Sequence, residues 1–286
     1  MPVFISSTLI KTMVDNGNVI DHCPAQIYYV NISKAYRFET EPMLLGNLFE
    51  HKALDMPGRA PSVPKDIRTG KHKIGTQRLL EQAEVFKNDC KENQIQVVPG
   101  INTQVVIVKR WEKDPRIILK GKLDLFPTTF LNAETAELEL SIIDLKSTGN
   151  VENTFGKFGW GNPEAIDHIQ AVLYSYLVKD IDFELNDKYV PDNYLRDLFT
   201  DDVRKAIKHD AYSFRYMIYD RSKNMGKQIL NVRMNNARYA QMHESIRKVV
   251  SYIEQYNQIG WPTYAHNGCK DCPVLQCKDR KMEITI

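Results

Sequence analysis

The stretch "SIIDLKSTG" (Ser141–Gly149) is an apolar, β-prone run that stops abruptly at a carboxylate, one spacer and a lysine. Side chains alternate along a strand, so Asp144 and Lys146 share one face while Leu145 points to the other. Two readings open from that pattern. In one, the strand ends in solvent and carries an incidental ion pair. In the other, Asp144 and Lys146 belong to a metal site with a lysine aimed at the same spot. Just upstream, "KGKLDLF" (Lys120–Phe126) puts Asp124 on what should be the hairpin partner. If Asp124 lies opposite, two carboxylates and one ammonium converge at a sheet edge. Oxygen-rich acids suit a hard divalent ion such as Mg²⁺ or Mn²⁺. Such an ion acidifies a bound water and offsets charge that builds up on phosphorus. A neighbouring lysine orients that water or helps to deprotonate it.

The whole chain allows this chemistry without demanding it. Its 286 residues suit one large domain or two small ones, and 43% are apolar, enough for a real core. A formal charge of +2 excludes an overall polycationic surface, so any polyanion must be met by local clusters. One such cluster is Lys65–Arg78, with five Lys or Arg against a single acid. Two others are "KGK" at Lys120–Lys122 and the segment Asp220–Lys227. The N-terminus lacks the layout of a signal peptide, and no apolar run approaches the roughly 20 residues that span a bilayer. The expectation is a soluble, cytoplasmic protein.

Periodicity orders the elements. His22–Ile32 lies in an opening helical region, and Pro42–Asp55 carries Leu44, Leu48 and His51 at helical spacing. A basic Pro/Gly-rich loop follows, then a helix from about Thr76 to Asn93. From Ile95 to Phe130, β-branched runs broken by Pro-Gly and Asp-Pro predict successive strands, with another at Leu138–Ser147. Pro163–Val178 predicts an amphipathic helix, Tyr212–Asp220 and Lys227–Asn235 paired strands, and Ala237–Gln258 a long helix. The expected organisation is a single α/β domain over 1–286. It has a helical N-terminal part (1–94), a core with a central mixed sheet flanked by helices (95–260) and a cysteine-rich tail (261–286).

Beside Asp124, Asp144 and Lys146, the helix Pro42–Asp55 places His51 five residues after Gly46. "DHIQAVLYSYL" places Gln170 and Tyr174 at i and i+4 on one helical face. The ordered set is G-x4-H (Gly46–His51), G-x-x-D (Gly121–Asp124), D-x-K (Asp144–Lys146) and Q-x-x-x-Y (Gln170–Tyr174). It resembles the RecB-type branch of the PD-(D/E)XK nuclease superfamily, from about Cys23 to Cys277. Each motif is short and common; their order and spacing carry the specificity. The resemblance implies a restriction-endonuclease-like core in which His51, Asp124, Asp144 and the Leu145 carbonyl bind Mg²⁺ or Mn²⁺. It further implies that Lys146 positions the attacking water, with Gln170 and Tyr174 supporting the site.

"CKDCPVLQC" supplies Cys269, Cys272 and Cys277 in a C-x2-C-x4-C run, and thiolates so grouped point to a metal. Two ligand sets stay open. Cys23 in "HCPAQIYY" completes four thiolates for a [4Fe–4S] cluster; His266, three residues before Cys269, completes a zinc site. A similarity to the iron–sulfur nucleases of the same branch, the AddB-type subunits and CRISPR adaptation exonucleases, implies the cluster. In them it pins the two chain ends together. Cys90 has no partner motif and reads as a small buried hydrophobe.

The expected function is that of a metal-dependent DNA nuclease, a single-strand or end-directed exonuclease in recombination, repair, phage replication or CRISPR adaptation. DNA enters through the resemblance alone. Phe155, Phe158 and Trp160, in the Gly/aromatic loop after the D-x-K strand, are candidates for stacking unpaired bases. The chain shows no G-x4-G-K-[ST] motor signature, so it is not expected to be a complete helicase–nuclease; the expected partners are DNA, with a homo-oligomer or a helicase or recombination partner as further candidates. The alternatives are a non-catalytic nucleic-acid-binding module of the same fold and a zinc-stapled interaction protein.

Overall fold

The computed structural model describes residues 3–263, apart from 16–17, 20–22, 37–38, 64, 67–68, 133–135, 156–158, 167 and 192–193. The chain opens on strand β1 (Val3–Ser6), which turns directly into α1 (Ser7–Met13) as the Ser6 hydroxyl accepts the Leu9 N–H at 3.2 Å. A two-residue ladder, β2 (Val14–Asp15) and β3 (Asn18–Val19), precedes α2 (Pro24–Gln26), which continues as a π-helical turn to Ile32. Helix α3 (Glu41–Ala53) starts at Thr40, whose side chain caps the Met43 N–H, with Pro42 in its first turn. Then come α4 (Ile74–Glu92), β4 (Thr103–Trp111), β5 (Asp114–Leu131), β6 (Leu138–Thr148) and α5 (Ile169–Val178). Three short helices, α6 (Phe183–Tyr189), α7 (Leu195–Leu198) and α8 (Asp201–Lys208), lead to β7 (Tyr212–Asp220), β8 (Lys227–Val232) and α9 (Asn236–Ile259).

The six-stranded mixed sheet runs β1-β5-β6-β7-β8, with β4 on the other edge of β5. β5 pairs antiparallel with β4 and β6, while β1 joins β5, and β7 joins β6, in parallel. Alternation along β6 sends Ile142 into one core and Ile143 and Leu145 into the other. The first core holds α5, all ten of whose residues are buried, with α1 and α9 against it. The second lies under α3 and α4, through Leu45, Leu48, Phe49, Leu79 and Phe86. Cys90 is buried in that second core, and burial pushes its thiol up to about 12. Helices on both faces of a mixed sheet are the architecture expected from the sequence. Among the described residues no helix is long and apolar enough to cross a membrane.

Three local expectations change. The opening segment is not wholly helical, because "VFIS" forms β1. Four residues are too few to show a period, but in register with Ile117–Lys120 they bury Ile5 completely. Ile95–Val98 forms no strand: its backbone bonds to side chains instead, Gln96 N to Thr128 Oγ1 (3.0 Å) and Val98 N to Asn102 Oδ1 (2.8 Å). The helix expected from Pro163 begins only at Ile169, since Ile166 is extended (φ −72°, ψ 139°) and separates it from a 3₁₀ turn at Pro163–Ala165. Ile166 still packs into the core, which is why its apolar spacing looks helical.

Candidate active site

β6 pairs with β5 from Leu138 opposite Leu131 to Ile143 opposite Leu125, and then leaves it. β1 occupies the same edge of β5 over Ile117–Lys120. Gly121–Asp124 therefore faces a gap between two partner strands, and the ionisable residues gather there. The Leu145 N–H donates to Asp124 Oδ2 at 2.8 Å, tying β6 to β5 through a side chain just past the last ladder pair. Gly121 lets α5 lie close on β5. A Cβ there would stand 2.5 Å from Leu177 Cδ1 and 3.0 Å from two Tyr174 ring carbons.

Asp124 and Asp144 are both buried, at 5% and 1% exposure. Asp144 Oδ1 accepts from Gln170 Nε2 at 2.7 Å, and the same amide reaches Tyr174 Oη at 3.1 Å. Lys11 of α1 donates to the Gln170 oxygen, which orients that amide. Lys146 Nζ is ion-paired with Asp144 Oδ2, an oxygen that takes no other hydrogen bond. From the opposite face, α3 brings Glu50, next to which His51 stands on the helix. Gln104 Nε2 bridges Asp124 Oδ1 (3.0 Å) and Glu50 Oε2 (3.4 Å). Both ring nitrogens of His51 are shielded from solvent and lack a hydrogen-bond partner.

Burial, followed by the charges of Glu50 and Asp144, holds the Asp124 carboxyl well above the usual carboxylate range. Burial likewise raises Glu50, with Lys146 and Lys122 pulling it back. For Lys146, burial acts to lower the ammonium, but the carboxylates of Asp144 and Asp124 outweigh it and hold it above the ordinary lysine range. Tyr174 is pushed up to about 12, chiefly by burial. The site is thus a cluster of acids into which Lys146 projects, with Lys11 and Lys122 near by. Among the described residues, no three His, Cys, Asp or Glu side chains stand close enough as arranged to hold an ion. The oxygen donors nevertheless suit a hard divalent cation: a buried carboxylate oxygen met only by an ammonium, and acids that disfavour one another's charge.

Similarity to solved structures bears on the architecture. The putative exonuclease from Eubacterium rectale superposes with a TM-score of 0.55, over 96% of this chain and 89% of that one, at 11% identity. The fold is restriction-endonuclease-like. No protein-family model and no curated protein matches the chain.

In this restriction-endonuclease-like core the sequence-predicted residues separate into two groups. Asp124, Asp144, Lys146, Gln170 and Tyr174 come together, and α3 reaches them through Glu50, with His51 the next residue on that helix. Cys23 is buried at the start of α2, where the Ala25 N–H donates to the Pro262 carbonyl at 3.1 Å and Tyr28 packs on Trp261. His266, Cys269, Cys272 and Cys277 lie outside the described residues, as does Phe158. Trp160 is a core residue, 5.3 Å from the Tyr216 ring, whereas Phe155 is exposed. Of the basic segments, Lys73 is paired with Glu41 and Lys227 with Asp89. Four site residues were not apparent from sequence: Glu50, Gln104, Lys11 and Ser7, the last hydrogen-bonded to Tyr174. Glu50 had a signal, being next to His51 on the same helix. The others lie on β4 and α1, in stretches without a motif.

Proposed function

We propose that this protein is a divalent-metal-dependent DNA nuclease that hydrolyses phosphodiester bonds, working as an exonuclease on single strands or free ends. The observation that carries the reading is the convergence of Asp124, Asp144 and Lys146 in the gap between β1 and β6, with Gln170 locking Asp144 in place. Buried acids that repel one another cost stability unless a cation or substrate chemistry employs them. His51, Asp124, Asp144 and the Leu145 carbonyl would hold Mg²⁺ or Mn²⁺. Such an ion would supply positive charge against the negative charge building up at phosphorus and would make a water easier to deprotonate. Lys146 keeps its proton and donates to the attacking water or a phosphate oxygen. Gln170 and Tyr174 keep Asp144 facing the gap. The exonuclease name borne by the Eubacterium rectale protein agrees with this assignment.

A [4Fe–4S] cluster on Cys23, Cys269, Cys272 and Cys277 belongs to the same reading, with zinc on His266 and the three tail cysteines as the alternative. Its support is the Ala25–Pro262 hydrogen bond, which brings the chain just before the tail onto the helix that Cys23 begins. The test of function is cleavage of labelled single- and double-stranded DNA in Mg²⁺, Mn²⁺ or EDTA. Metal-dependent cleavage supports the enzyme; tight binding without cleavage supports a non-catalytic module.

A further inference from the structure

We propose that Lys120 and Lys122 of β5 hold backbone phosphates of the DNA strand as it enters the acidic gap, on a strip of sheet that α6 and α3 leave uncovered. This deepens the nuclease reading and rests on it. Alternation along β5 places Ile117, Leu119 and Leu123 in the core that contains α5 and sends Ile118 to the other face. There Ile118 and Val108 are covered by Leu185 of α6, and the Tyr189 ring stands 5.2 Å from Phe4 of β1 beside them. Further along β5 the same face passes under α3 and α4, through Leu125 with Ile143 and Leu145 of β6. These two apolar clusters do not join. Between them the face carries Lys120, opposite Val108 and Ser6, and Lys122, opposite Val106. Lys122 is exposed, and Lys120 and Val106 are half-buried.

The strip ends at the site. Lys122 stands two residues before Asp124 on β5. Gln104, two residues before Val106 on β4, bridges Asp124 Oδ1 (3.0 Å) and Glu50 Oε2 (3.4 Å). Burial raises the Glu50 carboxyl, and the charge of Lys122 is among those that draw it back, which puts this ammonium at the rim of the cluster. Among the described residues neither Lys120 nor Lys122 has an ion pair or hydrogen bond from its ammonium. In the other basic segments, by contrast, Lys73 is held by Glu41 and Lys227 by Asp89. A cluster of acids repels a polyanion, and two unpaired ammoniums at its rim offset that repulsion where a strand has to enter. Alternate residues of a β-strand stand about 6.5 Å apart, of the order of one nucleotide step of an extended single strand, so the pair suits successive phosphates. Each lysine acts as a point charge, and the contact carries no base preference.

The test is the salt dependence of binding to fluorescein-labelled oligo(dT) and oligo(dC), read by anisotropy in EDTA between about 50 and 200 mM NaCl. Each phosphate neutralised on a single strand contributes about 0.7 to the slope of log K against log salt. Lys120→Gln and Lys122→Gln should each lower the slope by about 0.7, and the double variant by about 1.4, equally on both sequences. Lys122→Arg, which keeps the charge, should keep the slope. So should Lys91→Gln, at the end of α4 where Asn93 O accepts the Leu131 N–H, far along β5 from Lys122. Melting curves establish that each variant is folded. A slope that either glutamine variant leaves unchanged, or an equal fall in Lys91→Gln, overturns the proposal alone and leaves Lys122 a counter-ion of Glu50. A wild type that neither binds nor cleaves single strands overturns the nuclease reading and this one with it.

Discussion

Gln170 Nε2 stands 2.7 Å from Asp144 Oδ1, so the second residue of α5 fixes the orientation of the carboxylate just past the point where β6 leaves β5. Gln170→Ala removes that donor and frees Asp144 to follow Lys146. Losing an outer partner of this kind typically costs about 10–100-fold in activity or metal affinity. Gln170→Glu should cost more, because it sets a second carboxylate against Asp144. Initial rates against Mn²⁺ concentration check this, and an unchanged profile would leave Gln170 a packing residue.

Gly121 sits where Tyr174 and Leu177 of α5 press on β5. Gly121→Ala should lower stability by about 1–3 kcal/mol, the usual cost of overpacking a rigid core. Because Tyr174 adjoins Gln170, activity should fall further than stability alone explains. Urea unfolding and activity of the folded fraction separate the two effects. Gly46, by contrast, would place a Cβ 3.6 Å from Ser147 Oγ, an ordinary contact, and Gly46→Ala should be mild.

The central strands and the long helices were legible in the sequence because their periods run long. Leu138–Thr148 carries a β-branched apolar run within an eleven-residue strand, and Asn236–Ile259 keeps a buried helical stripe from Met242 to Ile253. Asp124, Asp144 and Lys146 were legible through the order and spacing of the motifs around them, since D-x-K after an apolar run is common by itself. Glu50 was hidden by its ordinary place on an amphipathic helix. Gln104 was hidden because it reaches the site from a left-handed backbone (φ 54°) that pattern reading does not foresee. Lys11 and Ser7 depend on β1 pairing with β5, a contact between residues more than a hundred positions apart. Trp160 looked like a base-stacking candidate from composition, and only its packing on Tyr216 shows it to be an anchor.

His243 gives the molecule a pH dependence away from the site. Trp111 Nε1 donates to His243 Nδ1 at 2.9 Å, which requires that nitrogen to be unprotonated. Burial lowers the imidazole below its ordinary value, partly opposed by Glu112 (Nε2–Oε1 3.7 Å) and reinforced by Lys113; the Tyr176 ring edge closes the other side. The folded form thus binds this proton less readily than the unfolded chain. Its contribution to stability is complete above about pH 6.5 and is lost as pH falls towards the depressed folded value. His243→Asn, which keeps an acceptor for Trp111, should flatten this part of the Tm profile between about pH 7 and pH 5. An identical profile in the variant would assign the dependence elsewhere.

Anaerobically purified protein should be brown and contain iron, and Cys23→Ala should bleach it and lower its Tm by releasing a very long closed loop. Colourless protein with stoichiometric zinc would instead place the metal on His266 and the tail cysteines.

Single-turnover cleavage of end-labelled single-stranded DNA tests whether Asp144 and Lys146 carry metal-dependent phosphodiester hydrolysis. Wild type should release labelled product in Mn²⁺ and none in EDTA. Asp144→Ala and Lys146→Ala should each lose at least about 100-fold in rate while still binding the strand. Cleavage that survives both substitutions, or that proceeds undiminished in EDTA, would contradict the account.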